Sequence, residues 1–308
     1  MAAYGEIDVP VYLRSAAKPF IAAEILASGA ADRFGFEEHE LAVIAASHNG
    51  ESFHLEAVRS ILAKIGLNVA ALQCGAHVPN YEPAAAALAA TGEKPTALHN
   101  NCSGKHAGIL ALCLHLGAPA ETYLEAANPA QQRILAFCAR LADEDAARWP
   151  LGVDGCGIPV FATPLRNAAL AFARLAALEG LADADARALE RVRAAMLAFP
   201  EYVAGTGRFD TALMSAAHGT IACKAGAEGV HGSALLPLGL GLVAKVADGA
   251  RRAVPPAVIA TLKALGALDE GALAALADFA RPEVYNVAGR TVGHVEARLP
   301  DTISTTEA

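Results

Sequence analysis

Residues 219–246 read GTIACKAGAEGVHGSALLPLGLGLVAKV, and their character departs from what precedes them. Short apolar runs alternate with glycines at turn positions, the composition of strands joined by tight turns. Upstream the pattern is helical. Apolar residues recur at helix spacing over 53–65, 82–90, 104–116, 129–142, 164–198 with a break near Gly180, and 209–217. Residues 16–28 make a short helix that ends at Gly29. The run LAVIAA at 41–46 reads as a buried strand leaving its sheet at the polar SHNGES. Beyond 246, residues 255–278 return to helix and TVGHVEARL (291–299) is a last strand. The expectation is an α/β fold in one domain, 1–308. Its sheet part comes from both chain ends, about 1–50 and 218–308, and the helical middle, about 51–217, packs against it. The natural place for a site is the cleft between the two parts.

Composition narrows the function classes. The 308 residues are 54% hydrophobic and 18% charged, enough apolar material for a core and too much for disorder. A net charge of −8 argues against a nucleic-acid partner, which calls for a basic stripe. The longest uncharged stretches, near 106–120 and 232–244, are interrupted by His, Pro or Gly, so no membrane span is expected. MAAYGEIDVP has no apolar run of a signal peptide, and a cytoplasmic protein is the default. Cys74, Cys102, Cys113, Cys138, Cys156 and Cys223 are irregularly spaced and form no disulfide framework.

Three short motifs carry nucleophile chemistry. In Ser15-Ala-Ala-Lys18, positions three apart on a helix share a face. A neutral lysine there can take the proton that keeps a serine hydroxyl from attacking. Read alone, Ser15 is equally an N-cap and Lys18 a surface lysine. Ser47-His48-Asn49 follows the apolar 41–46 run and is otherwise an ordinary polar loop. Lys224-Ala225-Gly226 puts a cation on a strand, with a glycine that permits close backbone approach by a ligand. The plain alternative is an edge-strand lysine that guards against aggregation. In this order, S-x-x-K, S-x-N and K-x-G form the signature set of serine β-lactamases and penicillin-binding proteins, which perform acyl transfer through a serine ester.

A second constellation is built on sulfur. HNNCSGKHAG supplies Cys102, Lys105 and His106, with Gly104 giving a tight turn, and GVDGCGIP supplies Asp154 and Cys156. Two thiols can share a metal, with nitrogen or carboxylate completing the ligand set. They can equally be buried cysteines beside a lysine that lowers their pKa. Lysine is an uncommon zinc ligand, and no H-E-x-x-H pattern of a conventional zinc hydrolase occurs.

YLRSAAKPF, AASHNGE, LQCGAHVP, NNCSGKHAG, GVDGCGIP, EYVAGTGRFDTALM and CKAGAEGV, taken together and in this order, resemble the rhizobial-type (class 3) asparaginase II family over about residues 9–298. The resemblance implies a serine-β-lactamase-like fold, hydrolysis of L-asparagine to L-aspartate and ammonia, and a homodimer. It matches Ser15 and Lys18 to one Ser–Lys tandem and Ser47 and Lys224 to the second. Arg14 falls near the substrate, with His48 and Asn49 as further substrate-side candidates. Cys102, Lys105 and Cys156 match a zinc site, with Asp154 close to its water. Family members carry a further N-terminal segment that forms early strands, so here the sheet is expected to begin upstream or to expose an edge. The competing readings are a β-lactamase-like esterase, a glutaminase, and a non-catalytic binding protein on the same scaffold.

Overall fold

A computed structural model describes residues 2–300 and the backbone of residues 304–305. The architecture is mixed α/β, with helices dominating and the strands gathered into small antiparallel sheets. The stretch 219–246 forms a three-stranded meander, Ile221–Gly226, Val230–Leu235 and Leu240–Lys245. Its glycines divide into two kinds. Gly229 and Gly239 turn the chain with φ of 71° and 61°. Gly232 and Gly241 lie inside strands, where a Cβ would come within 2.0 Å of Phe172 and of the Ala169 carbonyl. They form the groove that seats the helix Leu165–Ala177 on the sheet. Phe172 then meets Phe20 edge-on, with ring centroids 5.1 Å apart, tying this layer to the helix Lys18–Ala27.

The helical middle follows the periodicity closely. Helices run over Ser52–Lys64, Glu82–Ala90, Ser103–Leu116, Pro129–Ala142, Leu165–Ala177, Asp183–Ala198 and Phe209–Ala216. Gly180, at φ 66°, sits in the predicted break. One contiguous hydrophobic cluster extends from Leu13 to Leu276.

Two expectations are corrected. Residues 41–46 are not a strand. They belong to the helix Glu38–Ile44 and its C-terminal turn, opened by a capping box between Glu37 and Glu40. All of Leu41–Ala46 are 1% exposed or less, and a helix buried all round shows no 3.6-residue period to distinguish it from a buried strand. Nor do the chain ends build the sheet that carries Lys224. Pro10–Tyr12 pairs with Pro159–Pro164, which also pairs with Leu151–Val153. Ala2–Ala3 pairs with Ser304–Thr305. The expected last strand covers Thr291–His294 alone, in a separate hairpin with Glu283–Tyr285. The physical reason is that the free edge of the Lys224 sheet is already taken. The Ala225 N–H is donated to the Asp210 carboxylate, and the turn Leu13–Ala16 lies against Gly226, where a Cβ would be 2.6 Å from the Leu13 carbonyl oxygen. No helix among the described residues is long and apolar enough to cross a membrane.

Candidate active site

The motifs converge on one cleft of about 580 Å³. Ser15 reaches it from a 3₁₀ turn, Arg14–Ala17, that precedes the helix Lys18–Ala27. Arg14 holds the turn in the left-handed region at φ 52°, a costly conformation for a residue with a Cβ. The glycine at 226 has its role here, admitting the protein's own Ser15 turn where the sequence reading had placed a ligand. The Ser15 hydroxyl, half-buried at the cleft wall, makes no hydrogen bond among the described residues.

Lys18 turns inward. Its Nζ donates to the Ala46 carbonyl and lies 3.0 Å from Ser47 Oγ, fully buried. Burial pushes this amine down, the Cys102 thiolate opposes that, and the Lys105 cation adds to it. The hydrogen-bonded pair in the structure is thus Lys18–Ser47. Lys224 does not contact Ser47; its Nζ donates to the Ala225 carbonyl at 2.7 Å and stands 3.6 Å from Asp210 Oδ2. Burial pulls Lys224 down to about 8, against the raising influence of Asp210.

Asp210 is the residue that motif reading missed. It lies in the first turn of the helix Phe209–Ala216, fully buried. One carboxylate oxygen accepts the Ala225 N–H at 2.7 Å, and the other lies 3.3 Å from His231 Nε2. Burial alone would raise its carboxyl; Lys224, His231 and the Ala225 N–H outweigh burial and hold it well below the usual carboxylate range. An acidic residue two positions after a basic one in GTGRFD was the available signal, but the partner lysine and histidine arrive from distant strands.

The sulfur constellation closes the far side of the cleft. Gly104 is helical and makes no tight turn. A Cβ there would sit 2.1 Å from the Val43 carbonyl, so its absence lets the helix Ser103–Leu116 rest directly on Glu38–Ile44. That contact brings Cys102 next to the Ala46–Ser47 segment. Asn100 locks the junction by accepting the Cys102 N–H and donating to the Cys74 carbonyl. Lys105 Nζ donates to Cys156 Sγ at 2.9 Å. A hydrogen bond from the Cys156 thiol, with Lys105 and Lys18 nearby, pulls Cys102 toward thiolate; the same bond, with burial, holds the proton on Cys156. Burial works against the Lys105 charge, but the two sulfurs keep it an ammonium. Two buried sulfurs and an amine already in contact fit a soft, tetrahedral cation, provided the Lys105 and Cys156 protons leave as it enters. Asp154 stands beside them, with its Oδ1 bonded to Arg14 Nε at 2.7 Å. A second buried group of ligand type, Asp210, Cys223 and His231, lies near Lys224. It suits a cation less well, because burial and Asp210 hold the Cys223 thiol protonated and Asp210 is already occupied by Lys224. All six cysteines are free and buried.

The remaining candidates serve the wall itself. The guanidinium of Arg14 is divided between Asp154 at 2.7 Å and Glu228 at 3.1 Å. His48 is enclosed behind the cleft. Its Nδ1 accepts the Gly50 N–H, so its Nε2–H donates to Ser103 Oγ at 2.9 Å, and burial keeps it neutral. Asn49 donates to the Thr206 carbonyl and accepts from Arg208, while Glu51 receives the Thr206 N–H and hydroxyl. SHNGE therefore anchors the loop that carries Arg208 and Asp210 into the cleft.

None of the curated proteins compared with the chain matches it. The family model described as L-asparaginase II matches residues 1–297, nearly the whole length and all of the cleft residues. The chain belongs to the L-asparaginase II family, a family of asparaginase-type hydrolases.

Proposed function

We propose that this protein hydrolyses L-asparagine to L-aspartate and ammonia through a serine ester, on a serine-β-lactamase-like scaffold. The observation that carries the reading is the buried Lys18 amine hydrogen-bonded to Ser47 on the wall of the cleft that Ser15 faces. Burial favours the neutral amine that a general base requires.

Ser15 Oγ attacks the side-chain amide carbon, and its proton passes to Lys18. The oxyanion is held by backbone N–H groups including that of Ser15; one such donor contributes about 3 kcal/mol. As the C–N bond breaks, Ser47 donates its proton to the departing nitrogen and recovers one from Lys18. The β-aspartyl ester on Ser15 is then cleaved by water, with Lys18 taking the water proton and returning it to Ser15. Lys105 supplies positive charge that disfavours protonation of Lys18 in the resting site, while Lys224 is kept near the cleft by Asp210. Cys102, Lys105 and Cys156 are the residues that would hold zinc, with Asp154 beside them. Were it bound, the ion would supply a fixed positive charge at the cleft wall formed by Cys102, Asp154 and Cys156. The homodimer and this zinc site rest on the family resemblance.

Ammonia release from L-asparagine tests the reading, with L-glutamine and a chromogenic β-lactam as competing substrates. Ser15→Ala is expected to lose both turnover and the ester adduct seen by mass spectrometry in quenched reactions. Should Ser47→Ala lose the adduct while Ser15→Ala retains it, the nucleophile is Ser47. A wild-type enzyme that releases no ammonia from L-asparagine ends the proposal.

A further inference from the structure

The charged groups of the cleft are nearly all committed to one another. Arg14 is shared by Asp154 and Glu228. Asp154 is returned to Arg14, and Asp210 is held by Lys224, His231 and the Ala225 N–H. Arg208 is the half-buried exception. It lines the cleft and forms no ion pair with any described residue. Among the described residues the guanidinium has one anchor, the neutral Asn49 side chain, whose Oδ1 accepts from Nη1 at 2.9 Å. Asn49 is fixed in turn by the Thr206 carbonyl, and Gly205 makes room for it, since a Cβ there would lie 2.6 Å from Asn49 Nδ2. The loop thus presents a pre-positioned guanidinium with its remaining donors unused by any described residue. Arg251, the other cleft arginine without an ion pair among the described residues, is exposed and has no such anchor.

We propose that Arg208 receives the α-carboxylate of the amino-acid substrate, with Asn49 as its positioning residue, so that the cleft selects free amino acids over amides that lack this group. The inference rests on the hydrolase reading of the same cleft and adds the recognition element. A forked guanidinium matches a carboxylate with two parallel hydrogen bonds, and holding the fork in place beforehand reduces the ordering cost of binding. Ser47 donates its backbone N–H to the Val203 carbonyl at 2.9 Å, so the same loop fixes the fork relative to the reacting end.

The test compares L-asparagine with 3-aminopropanamide, its analogue without the α-carboxylate, and measures L-aspartate binding by calorimetry. Arg208→Gln is expected to weaken both kcat/KM for L-asparagine and L-aspartate affinity by about 10- to 100-fold, as loss of a charged hydrogen-bonded pair does. Turnover of 3-aminopropanamide stays at the wild-type value. Arg208→Lys falls between, and its folded stability serves as the check that the loop survives substitution. Asn49→Ala raises KM less, and adds nothing further in the Arg208→Gln background. Unchanged L-aspartate binding in Arg208→Gln, equal loss for both substrates, or a loss that follows Arg251→Gln instead overturns the inference while leaving the hydrolase reading intact. Arg208-dependent binding of L-aspartate without ammonia release would do the reverse.

Discussion

Lys18 and Lys224 stand behind the cleft wall, equally buried, and meet different company. Lys18 sits among a serine, a backbone carbonyl and the Cys102–Cys156 pair, with no carboxylate in contact. Lys224 stands beside Asp210, which is itself held by a backbone N–H and His231. Burial lowers both amines, but the buried counter-charge of Lys224 is a carboxylate, whereas that of Lys18 is the Cys102 sulfur, which Lys105 also supports. The difference separates two settings of a buried lysine: one hydrogen-bonded to a hydroxyl, the other bound into an electrostatic cluster with a carboxylate.

Parallel Lys→Met substitutions would break this comparison if their effects were alike. Lys18→Met is expected to reduce ammonia release by about 10³-fold, the scale of a lost general base, with little change in unfolding free energy. Lys224→Met strands the Asp210 carboxylate and is expected to cost about 3 kcal/mol in a denaturant titration as well as activity. Equal destabilisation by both would show that the Lys18 side is also an ion-pair cluster.

The pH dependence of stability sharpens the comparison. Lys224 has a folded pKa of about 8, below its unfolded value of 10.5, so the unfolded chain binds more protons between them. Stability contributed by this group therefore rises as pH climbs from about 8 to 10.5. On the other side, His54 stacks on His48 and is pushed by burial from 6.5 to about 4. Its contribution is intact above 6.5 and fades toward pH 4, a change of about 3 kcal/mol. His54→Asn is expected to flatten the acid limb of the stability profile and leave the alkaline limb in place. An unchanged acid limb would assign that limb to other groups, such as the equally buried His48 and His106.

The smallest effect concerns the contact that carries Ser15 to the Lys224 strand. Gly226→Ala would place a methyl 2.6 Å from the Leu13 carbonyl oxygen. The expected cost is about 1–3 kcal/mol of stability, with a shift of the Ser15 turn that lowers kcat more than it changes KM. A neutral outcome would mean that the turn and the strand move independently.

Much of this was legible in residue order. The helices at 82–90 and 129–142 coincide with their predicted limits because Pro and Asn mark their starts and periodicity their length. The strands of 219–246 were readable from turn glycines, whereas Gly232 and Gly241 mark a helix seat that no local pattern reports. Residues 41–46 misled because complete burial erases the period on which the distinction depends. Asp210 and Arg208 stayed hidden in GTGRFD because their significance lies in what surrounds them: for Asp210, Lys224 and His231; for Arg208, Asn49 and the absence of a counter-ion among the described residues.

Sequence alone determined the chemical inventory: two serines, three lysines and two thiols in short motifs whose order points to acyl transfer, within an α/β chain. Tertiary structure alone decided the partnerships. Lys18 bonds to a serine 29 positions away and not to the serine three positions before it, and Arg14 is consumed by carboxylates while Arg208 is left open. The physical reason is range. Covalent spacing constrains side chains within about a turn of helix, whereas buried charges choose partners from whatever the packed core brings within hydrogen-bond reach, and that is settled only when glycines such as Gly104 and Gly226 let the backbones close.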